Sequence, residues 1–231
     1  MIKDFSQLEK KIGVTFKDKA LLTQAFTHRS YLNENRDSKL AHNERLEFLG
    51  DAVVELIVTD YLYKKYPDNP EGELTSFRSA LVNFTTLSDV ATNLGFNDYL
   101  LLSRGEMKDT GRARTYILAN TFESFVGALY LDQGYAAAER FVADQVFHLI
   151  EPIVQKGDWI DAKSRFQEAA QDRIGITPTY KTMKETGPDH DKSFTVGLYL
   201  GKDLVVAGVG QSKQDAEQDA ARKALAEKGW G

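Results

Sequence analysis

Apolar residues recur every three or four positions over most of the first two thirds of the chain, which predicts a nearly all-helical domain. The longest stretches with this spacing cover residues 43–63, 73–94, 117–131 and 136–154, and shorter ones cover 2–12 and 19–29. Pro67 cannot continue the first long helix, and Gly95 is expected to end the second. Glycine, proline and polar residues predict loops at 67–72 and 103–114.

The pattern changes near residue 164. Helices are predicted at 164–174 and 212–228, and between them lie β-rich runs at 179–185, 193–200 and 204–210. The order α-β-β-β-α predicts an α+β domain in which helices cover one face of an antiparallel sheet. The chain is therefore predicted to be multidomain, with an all-α domain over 1–156, a linker over 157–162 and the α+β domain over 163–231.

One face of the helix that begins near Asn43 carries three acids. Glu44, Glu47 and Asp51 line one side of it at 3.6 residues per turn. An apolar stripe on roughly the opposite side is predicted to face the core: Leu46, Leu49, Val53, Leu56 and Ile57. Like charges at this spacing destabilise a helix, so the row is either an ordinary solvated face or a site for a divalent cation such as Mg²⁺.

Two residues beside this row favour a functional face. Phe48 places a large aromatic side chain where a monomer would place polar cover, which indicates a partner surface. Gly50 lies inside the helix, where glycine costs about 1 kcal/mol relative to alanine. Close approach of another element would explain that glycine.

The helix over 117–131 carries candidate partners for the acids. Asn120 and Glu123 are three residues apart, and Gly127 follows one turn later on the same side. From spacing alone, an ordinary packing helix with an incidental glutamate is the commoner interpretation. However, clustered acids without a nearby histidine pair suit metal-assisted hydrolysis, and the chain has neither metal-ligand histidine spacing nor a phosphate-binding glycine loop.

Composition sets further bounds. The net charge is −5, but residues 162–231 carry 11 basic and 10 acidic residues, so the excess of acids lies in the helical domain. The absence of cysteine excludes disulfides and fits a reducing cytosol. No signal peptide and no apolar run of about 18 residues is present, so a membrane protein is not expected.

Three segments together resemble one family. Asn43–Asp51 (Asn-Glu-Arg-Leu-Glu-Phe-Leu-Gly-Asp) closely resembles the signature of bacterial ribonuclease III, and Phe26–Tyr31 and Ile117–Asp132 resemble two further motifs of that family. The α-β-β-β-α tail resembles the double-stranded-RNA-binding domain. The resemblance covers residues 1–229. It implies a cytoplasmic homodimer that hydrolyses double-stranded RNA with Mg²⁺, or with Mn²⁺ as a substitute, and needs no nucleotide cofactor.

The family further implies 5′-phosphate and 3′-hydroxyl products and a role in processing ribosomal RNA precursors and other structured transcripts. It also implies roles for single residues of the helical domain. Glu47 and Glu123 correspond to direct Mg²⁺ ligands, and Asp51 and Glu123 to the residues most needed for catalysis. Glu44 corresponds to an acid that contacts RNA or a further metal.

Two residues correspond to family positions near the subunit interface. Phe48 corresponds to an aromatic knob that docks into the partner subunit, and Glu71 to an acid that reaches the cleavage valley.

Asn120 stands where the family usually has an aspartate ligand. Its neutral carbonyl predicts weaker metal binding, and it leaves open the alternative of a double-stranded-RNA binder that does not cleave. A third alternative, an acidic helical scaffold, would require every motif match to be chance.

The resemblance also implies RNA contacts. Such tail domains read the shape of A-form RNA through 2′-hydroxyls and phosphates. The corresponding residues are Gln167 and Glu168 for one minor groove, His190 for the next, and Lys213 and Gln214 for the phosphates between them. In the helical domain, Arg112 and Arg114 correspond to part of a basic stretch that contacts the RNA backbone.

Overall fold

A computed structural model of the protein describes residues 3–108, 110–156, 162–187 and 192–230. The chain separates into two compact units, Met1–Trp159 and Ile160–Gly231. Each unit has a hydrophobic core of its own. Of the linker predicted at 157–162, only Ala162 lies within the described residues, and it begins the first helix of the second unit.

The described part of the first unit is helical, as the apolar spacing predicts. Its α-helices are α1 Ser6–Ile12, α2 Lys19–Ala25, α3 Arg29–Glu34, α4 Glu44–Lys65, α5 Glu71–Val82, α6 Phe84–Leu94, α7 Arg104–Lys108, α8 Arg112–Gln133, α9 Tyr135–Val146 and α10 Ile150–Lys156. Short 3-10 turns occur at Phe96–Tyr99 and Phe147–Leu149. Within the residues described above, no helix is long and apolar enough to cross a bilayer.

The single helix predicted over 73–94 is wrong, because it is two helices. Asn83 adopts an extended conformation with φ −68° and ψ 159° and separates α5 from α6. Its side-chain oxygen accepts a hydrogen bond from the backbone N–H of Thr86, and its amide donates to the carbonyl of Ala80. An asparagine that satisfies a free N–H in this way begins a new helix within an apolar pattern that otherwise continues.

The predicted loops are also shorter than expected. Residues 103–114 contain α7 and the first turn of α8, and the hydroxyl of Ser103 accepts a hydrogen bond from the N–H of Glu106 at the start of α7. Glu71, predicted in the loop over 67–72, is the first residue of α5. The apolar segment 136–154 is not one helix, since a 3-10 turn divides it into α9 and α10.

Helices α4 and α8, each of 22 residues, cross at the centre of the first unit. At the crossing Gly50 faces Gly127 so closely that a Cβ on Gly50 would overlap the backbone carbonyl of Glu123 and lie 3.0 Å from the nitrogen of Gly127. A Cβ on Gly127 would overlap the carbonyl of Leu46. The close approach predicted from Gly50 is therefore confirmed, and the two helix backbones are in direct contact.

An aromatic cluster fixes the rotation of α8. Phe122 and Phe125 are fully buried, and the Phe125 ring packs against Phe16, Phe96 and Phe141 with centroid distances of 4.9–5.3 Å. Buried aromatic rings contribute more apolar contact than other side chains. With this face of α8 in the core, Asn120 and Glu123 lie on the side that faces the acidic row of α4.

The second unit has the predicted order. It comprises α11 Ala162–Ile174, β1 Pro178–Thr186, β2 Ser193–Leu200, β3 Asp203–Gly210 and α12 Lys213–Lys228. The three strands form an antiparallel sheet in the order β1-β2-β3. Ser212 caps α12 through a reciprocal pair of hydrogen bonds with Asp215, and Gly208 lets Ala216 and Ala220 of that helix approach β3 closely.

Candidate active site

The crossing of α4 and α8 brings together acids from two separate sequence motifs. Glu47 and Asp51 extend from α4, and Asn120 and Glu123 extend from α8. The amide of Asn120 donates a hydrogen bond to the carboxylate of Glu47, and both Asp51 and Glu47 lie close enough to Glu123 to repel its charge. The two helix faces predicted to carry the site therefore form one cluster.

Among the described residues, the charges that act on Glu123 in this cluster are all negative. Burial, followed by repulsion from Asp51, Glu47 and Glu55, raises the pKa of Glu123 to about 8. Burial and the charge of Glu44 also raise the pKa of Glu47, which the hydrogen bond from Asn120 partly offsets. Such shifts mean that the folded protein disfavours the charged carboxylates unless a cation accompanies them.

Glu44 has partners that the pattern of acids did not reveal. Its two carboxylate oxygens lie 3.5 Å from Nη1 of Arg29 and 3.7 Å from Nδ1 of His42. Arg29 belongs to the segment Phe26–Tyr31 that resembles a family motif, so that motif offered a sequence signal for this contact. The guanidinium of Arg29 therefore partly neutralises Glu44, whereas the charged groups of the described residues that act on Glu123 are all acidic.

The residues present fit a divalent metal. Carboxylate and amide oxygens are the hard donors that such ions prefer. Across the four described ranges, no three Asp, Glu, His or Cys side chains converge as a complete metal site. The third position beside Glu47 and Glu123 carries the amide of Asn120. A carboxylate at that position would complete such a set.

The side of α4 next to the acids is apolar and exposed. Phe48, Leu56 and Tyr63 have 82%, 57% and 71% of their surface exposed. The prediction that Leu56 faces the core is therefore wrong, because it lies about 80° around the helix from Phe48, on the exposed side. Tyr63 and Glu71 line a cavity of about 240 Å³ between α4 and α5.

The two arginines predicted to contact RNA have different surroundings. Arg114 donates hydrogen bonds to the side chain of Asn97 and to the backbone carbonyl of Glu106, which ties α8 to preceding segments. Arg112 is exposed, and its guanidinium bonds the hydroxyl of Tyr116. Arg112 is therefore the more available of the two for an external ligand.

The predicted RNA contacts of the second unit are exposed where they are described. Gln167 and Glu168 lie on the outer face of α11, and Gln214 lies near the start of α12. Lys213 forms an ion pair of 3.1 Å with Glu185 and lies over the Phe194 ring. His190 lies outside the described residues.

Comparison with known proteins decides the family. A model described as Ribonuclease-III-like matches residues 18–150, more than half of the chain. The chain belongs to the ribonuclease III family. A second model, the double-stranded RNA binding motif, matches residues 162–228. The resemblance found in the motifs is therefore confirmed, and so is the fold class.

Individual relatives agree with the family models. A Ribonuclease 3 of Enterococcus faecalis is 46% identical over 95% of both chains, and one of Borreliella burgdorferi is 46% identical over 95% of this chain and 91% of its own. Among solved structures, a nuclease domain of ribonuclease III from Campylobacter jejuni is 36% identical, with a TM-score of 0.55, over 62% of this chain and 98% of that chain.

These similarities establish the activity. The protein is an endoribonuclease of a metal-dependent family, and it cleaves double-stranded RNA. The alternative of a non-cleaving binder rested on Asn120 alone, and relatives named Ribonuclease 3 over almost the whole chain do not favour it.

Proposed function

We propose that this ribonuclease III uses Mg²⁺ bound by Glu47, Asn120 and Glu123, and that Mn²⁺ can substitute for it. The observation that carries the proposal is the convergence of carboxylates from α4 and α8 at the glycine crossing, where the charges that act on Glu123 within the described part of the chain are all acidic. Bound Mg²⁺ would supply a nucleophilic water at neutral pH and neutralise charge on the phosphate.

The chain's own residues then orient the reaction. Glu47 and Glu123 would hold the ion, which would neutralise the scissile phosphate, and Asp51, exposed beside Glu123, would accept a hydrogen bond from the attacking water. Glu44, paired with Arg29, lies one helical turn from Glu47 and faces the RNA backbone. The products are 5′-phosphate and 3′-hydroxyl ends, and the natural substrates are ribosomal RNA precursors and other structured transcripts.

The metal requirement tests this assignment at Asn120. Replacing Asn120 with aspartate adds a charged ligand, so we expect the Mg²⁺ concentration for half-maximal cleavage to fall about tenfold. The measurement is the initial cleavage rate of a labelled duplex RNA over a Mg²⁺ titration, with EDTA as the zero point.

Asn93→Asp is a matched control, because it makes the same charge change at an exposed position of α6. If Asn120→Asp and Asn93→Asp required the same Mg²⁺ concentration, Asn120 would not be a ligand. If the unmodified chain failed to cut in Mg²⁺, the proposed metal centre would be rejected as a whole.

We also propose that the protein acts as a homodimer through the exposed apolar face of α4. Phe48, Leu56 and Tyr63 are exposed within about 80° of one another around α4 beside the active site, and monomers rarely expose several large apolar side chains on one face. A two-fold axis would place the same stripe on both subunits, with Phe48 as the docking aromatic and Glu71 at the rim of the cleavage valley. The Campylobacter nuclease domain is described as flexible in a region involved in dimer formation.

Phe48→Ala tests the dimer. Loss of a central aromatic anchor should weaken self-association at least about thirtyfold, so sedimentation at micromolar concentration should show monomers. Leu131→Ala is the control, because Leu131 is an exposed apolar residue of α8 with 54% of its surface accessible. A Phe48→Ala protein that sediments like the Leu131→Ala protein would contradict the proposed interface.

For the second unit we propose RNA contacts at Gln167, Glu168, His190, Lys213 and Gln214. The support is the exposure of Gln167 and Glu168 on α11 and of Lys213 and Gln214 at the capped start of α12, whose free N–H groups attract phosphate. Lys213 and His190 are the basic residues of this set. To bind a phosphate, Lys213 must break its ion pair with Glu185. We therefore expect this unit to bind duplex RNA weakly and with strong dependence on salt.

A further inference from the structure

An exposed aromatic pair lies one helical turn from the proposed metal centre. Tyr116 of α8 stacks on Phe84, the first residue of α6, with ring centroids 4.6 Å apart and an interplanar angle of 27°. Tyr116 has 40% and Phe84 39% of its surface exposed. Neither residue belongs to the proposed metal centre or to the exposed stripe of α4.

The pair is connected to Arg112. The Cζ atom of Arg112 lies 5.7 Å from the centroid of the Tyr116 ring, and its Nη2 donates a hydrogen bond of 3.2 Å to the Tyr116 hydroxyl. A cation over an aromatic face and a hydrogen bond together fix the direction of a long side chain that would otherwise be free. Within the described part of the chain, the ion pairs are formed by residues other than Arg112, so its charge is available.

These residues share one face of α8 with the candidate metal ligands. Arg112, Tyr116, Asn120 and Glu123 are spaced by four, four and three residues, which places them within about 80° of one another around the helix. Tyr116 therefore lies about 6 Å along the axis from Asn120, and Arg112 lies one turn farther. Because Arg112 and Tyr116 lie within about 12 Å of Asn120 along the axis, we expect a duplex whose scissile phosphate reaches Glu123 to contact this part of α8.

The chemistry of a duplex decides what Arg112 would bind. In double-stranded RNA the bases are stacked inside the helix, and what the duplex presents to a protein surface is mainly phosphate and 2′-hydroxyl groups. The Tyr116 ring is already engaged by Phe84 and Arg112, so it is not a platform for an unpaired base. An exposed guanidinium held in one direction is instead suited to a phosphate oxygen.

We propose that Tyr116, supported by Phe84, is a positioning residue that holds the Arg112 guanidinium against a backbone phosphate of the duplex close to the scissile bond. This inference rests on the proposed metal centre, because that centre defines where the scissile bond lies. The inference adds a substrate contact in which an aromatic pair holds the guanidinium of Arg112. The guanidinium of Arg114, by contrast, is held by Asn97 and Glu106.

Binding of a short duplex RNA at a series of KCl concentrations tests the inference. All chains carry Glu123→Gln, so that binding is measured without cleavage. Each phosphate contact contributes slightly less than one to the slope of log K against log salt. Arg112→Gln and Tyr116→Ala should each lower that slope by about one and weaken binding about tenfold. The double variant should be no weaker than Arg112→Gln alone, since both changes remove the same contact.

Two further variants separate positioning from general stability. Tyr116→Phe keeps the ring under the guanidinium and should lose less than about threefold in affinity. Arg140→Gln makes the same charge change at an exposed residue of α9 and should leave the slope unchanged. Circular dichroism melting of each variant shows whether it is folded.

Two results would overturn the inference: a Tyr116→Ala slope equal to that of the Glu123→Gln parent, or losses from Arg112→Gln and Tyr116→Ala that add in the double variant. Failure of the proposed function gives a different result. In that case the chain without any substitution does not cleave the same duplex in Mg²⁺, whatever the salt slopes are.

Discussion

Replacing Glu123 with glutamine should abolish cleavage and, without divalent metal, stabilise the protein at alkaline pH. Glutamine removes the charged ligand from α8, so we expect the cleavage rate to fall about a thousandfold or more. The same change removes the buried charge that Asp51, Glu47 and Glu55 repel. An active-site substitution is thus expected to raise stability because the native cluster is strained without its cation.

The pH dependence of stability has a definite sign. The pKa of Glu123 is 4.5 in the unfolded chain and about 8 in the folded one, so between these values the folded state binds more protons. The free energy of unfolding therefore falls as pH rises from about 4.5 to about 8 and is constant above that. The neutral glutamine has no such dependence. At pH 8.5 in EDTA we expect Glu123→Gln to be more stable than the unmodified chain by up to about 5 kcal/mol, since one pKa unit corresponds to about 1.4 kcal/mol.

Urea unfolding in EDTA at pH 5.5 and pH 8.5 measures this difference. Glu227→Gln, at an exposed position of α12, controls for the general effect of removing one negative charge. Adding Mg²⁺ at pH 8.5 should stabilise the unmodified chain and have little effect on Glu123→Gln. The same stability difference between Glu123→Gln and the unmodified chain at both pH values would contradict the electrostatic account.

Gly50→Ala should prevent folding of the first unit or leave it inactive. A methyl group at this position would overlap the carbonyl of Glu123, and backbone atoms of two packed helices cannot rotate away as a flexible side chain can. We expect a loss of about 3 kcal/mol or more in the free energy of unfolding. Any protein that folds by moving α8 outward also moves Glu123 and should lose most of its cleavage activity.

Gly72→Ala provides the matched control. Gly72 lies in the first turn of α5, and a Cβ there would meet no atom within 4 Å. Alanine favours a helix more than glycine does, so Gly72→Ala should be neutral or slightly stabilising. Thermal melting by circular dichroism compares the two proteins. Equal melting temperatures for Gly50→Ala and Gly72→Ala would contradict the close contact of α4 with α8.

Much of the fold could be predicted from the spacing of apolar residues, because helix and strand periods differ and each element buries one face. The order α-β-β-β-α is an example. The errors occur where one polar side chain interrupts a continuing pattern. Asn83 divides the helix predicted over 73–94 into two. The Ser103-Arg-Gly-Glu106 segment begins a short helix where a loop was predicted. Both positions carry a recognisable capping residue, so the signal was present but weaker than the apolar pattern.

The site was predictable in part. Spacing placed Glu44, Glu47 and Asp51 on one face, and Gly50 indicated close packing. Spacing alone did not reveal that α8 supplies the opposite wall, because contact between helices 70 residues apart depends on tertiary packing. The exposure of Leu56 shows a related limit: an apolar stripe buried in a subunit interface has the same pattern as one buried in a core.

The contact between Gly50 and Gly127 also bears on how this family can diverge. The two glycines are required by the backbone contact, whereas the carboxylates beside them, which we propose to act in catalysis, make the metal-free protein less stable. Under selection for folding alone, a descendant that no longer cleaves RNA would lose Glu123 quickly and keep both glycines. In distant homologues, retained glycines therefore identify the scaffold, and retained acids identify the enzymes.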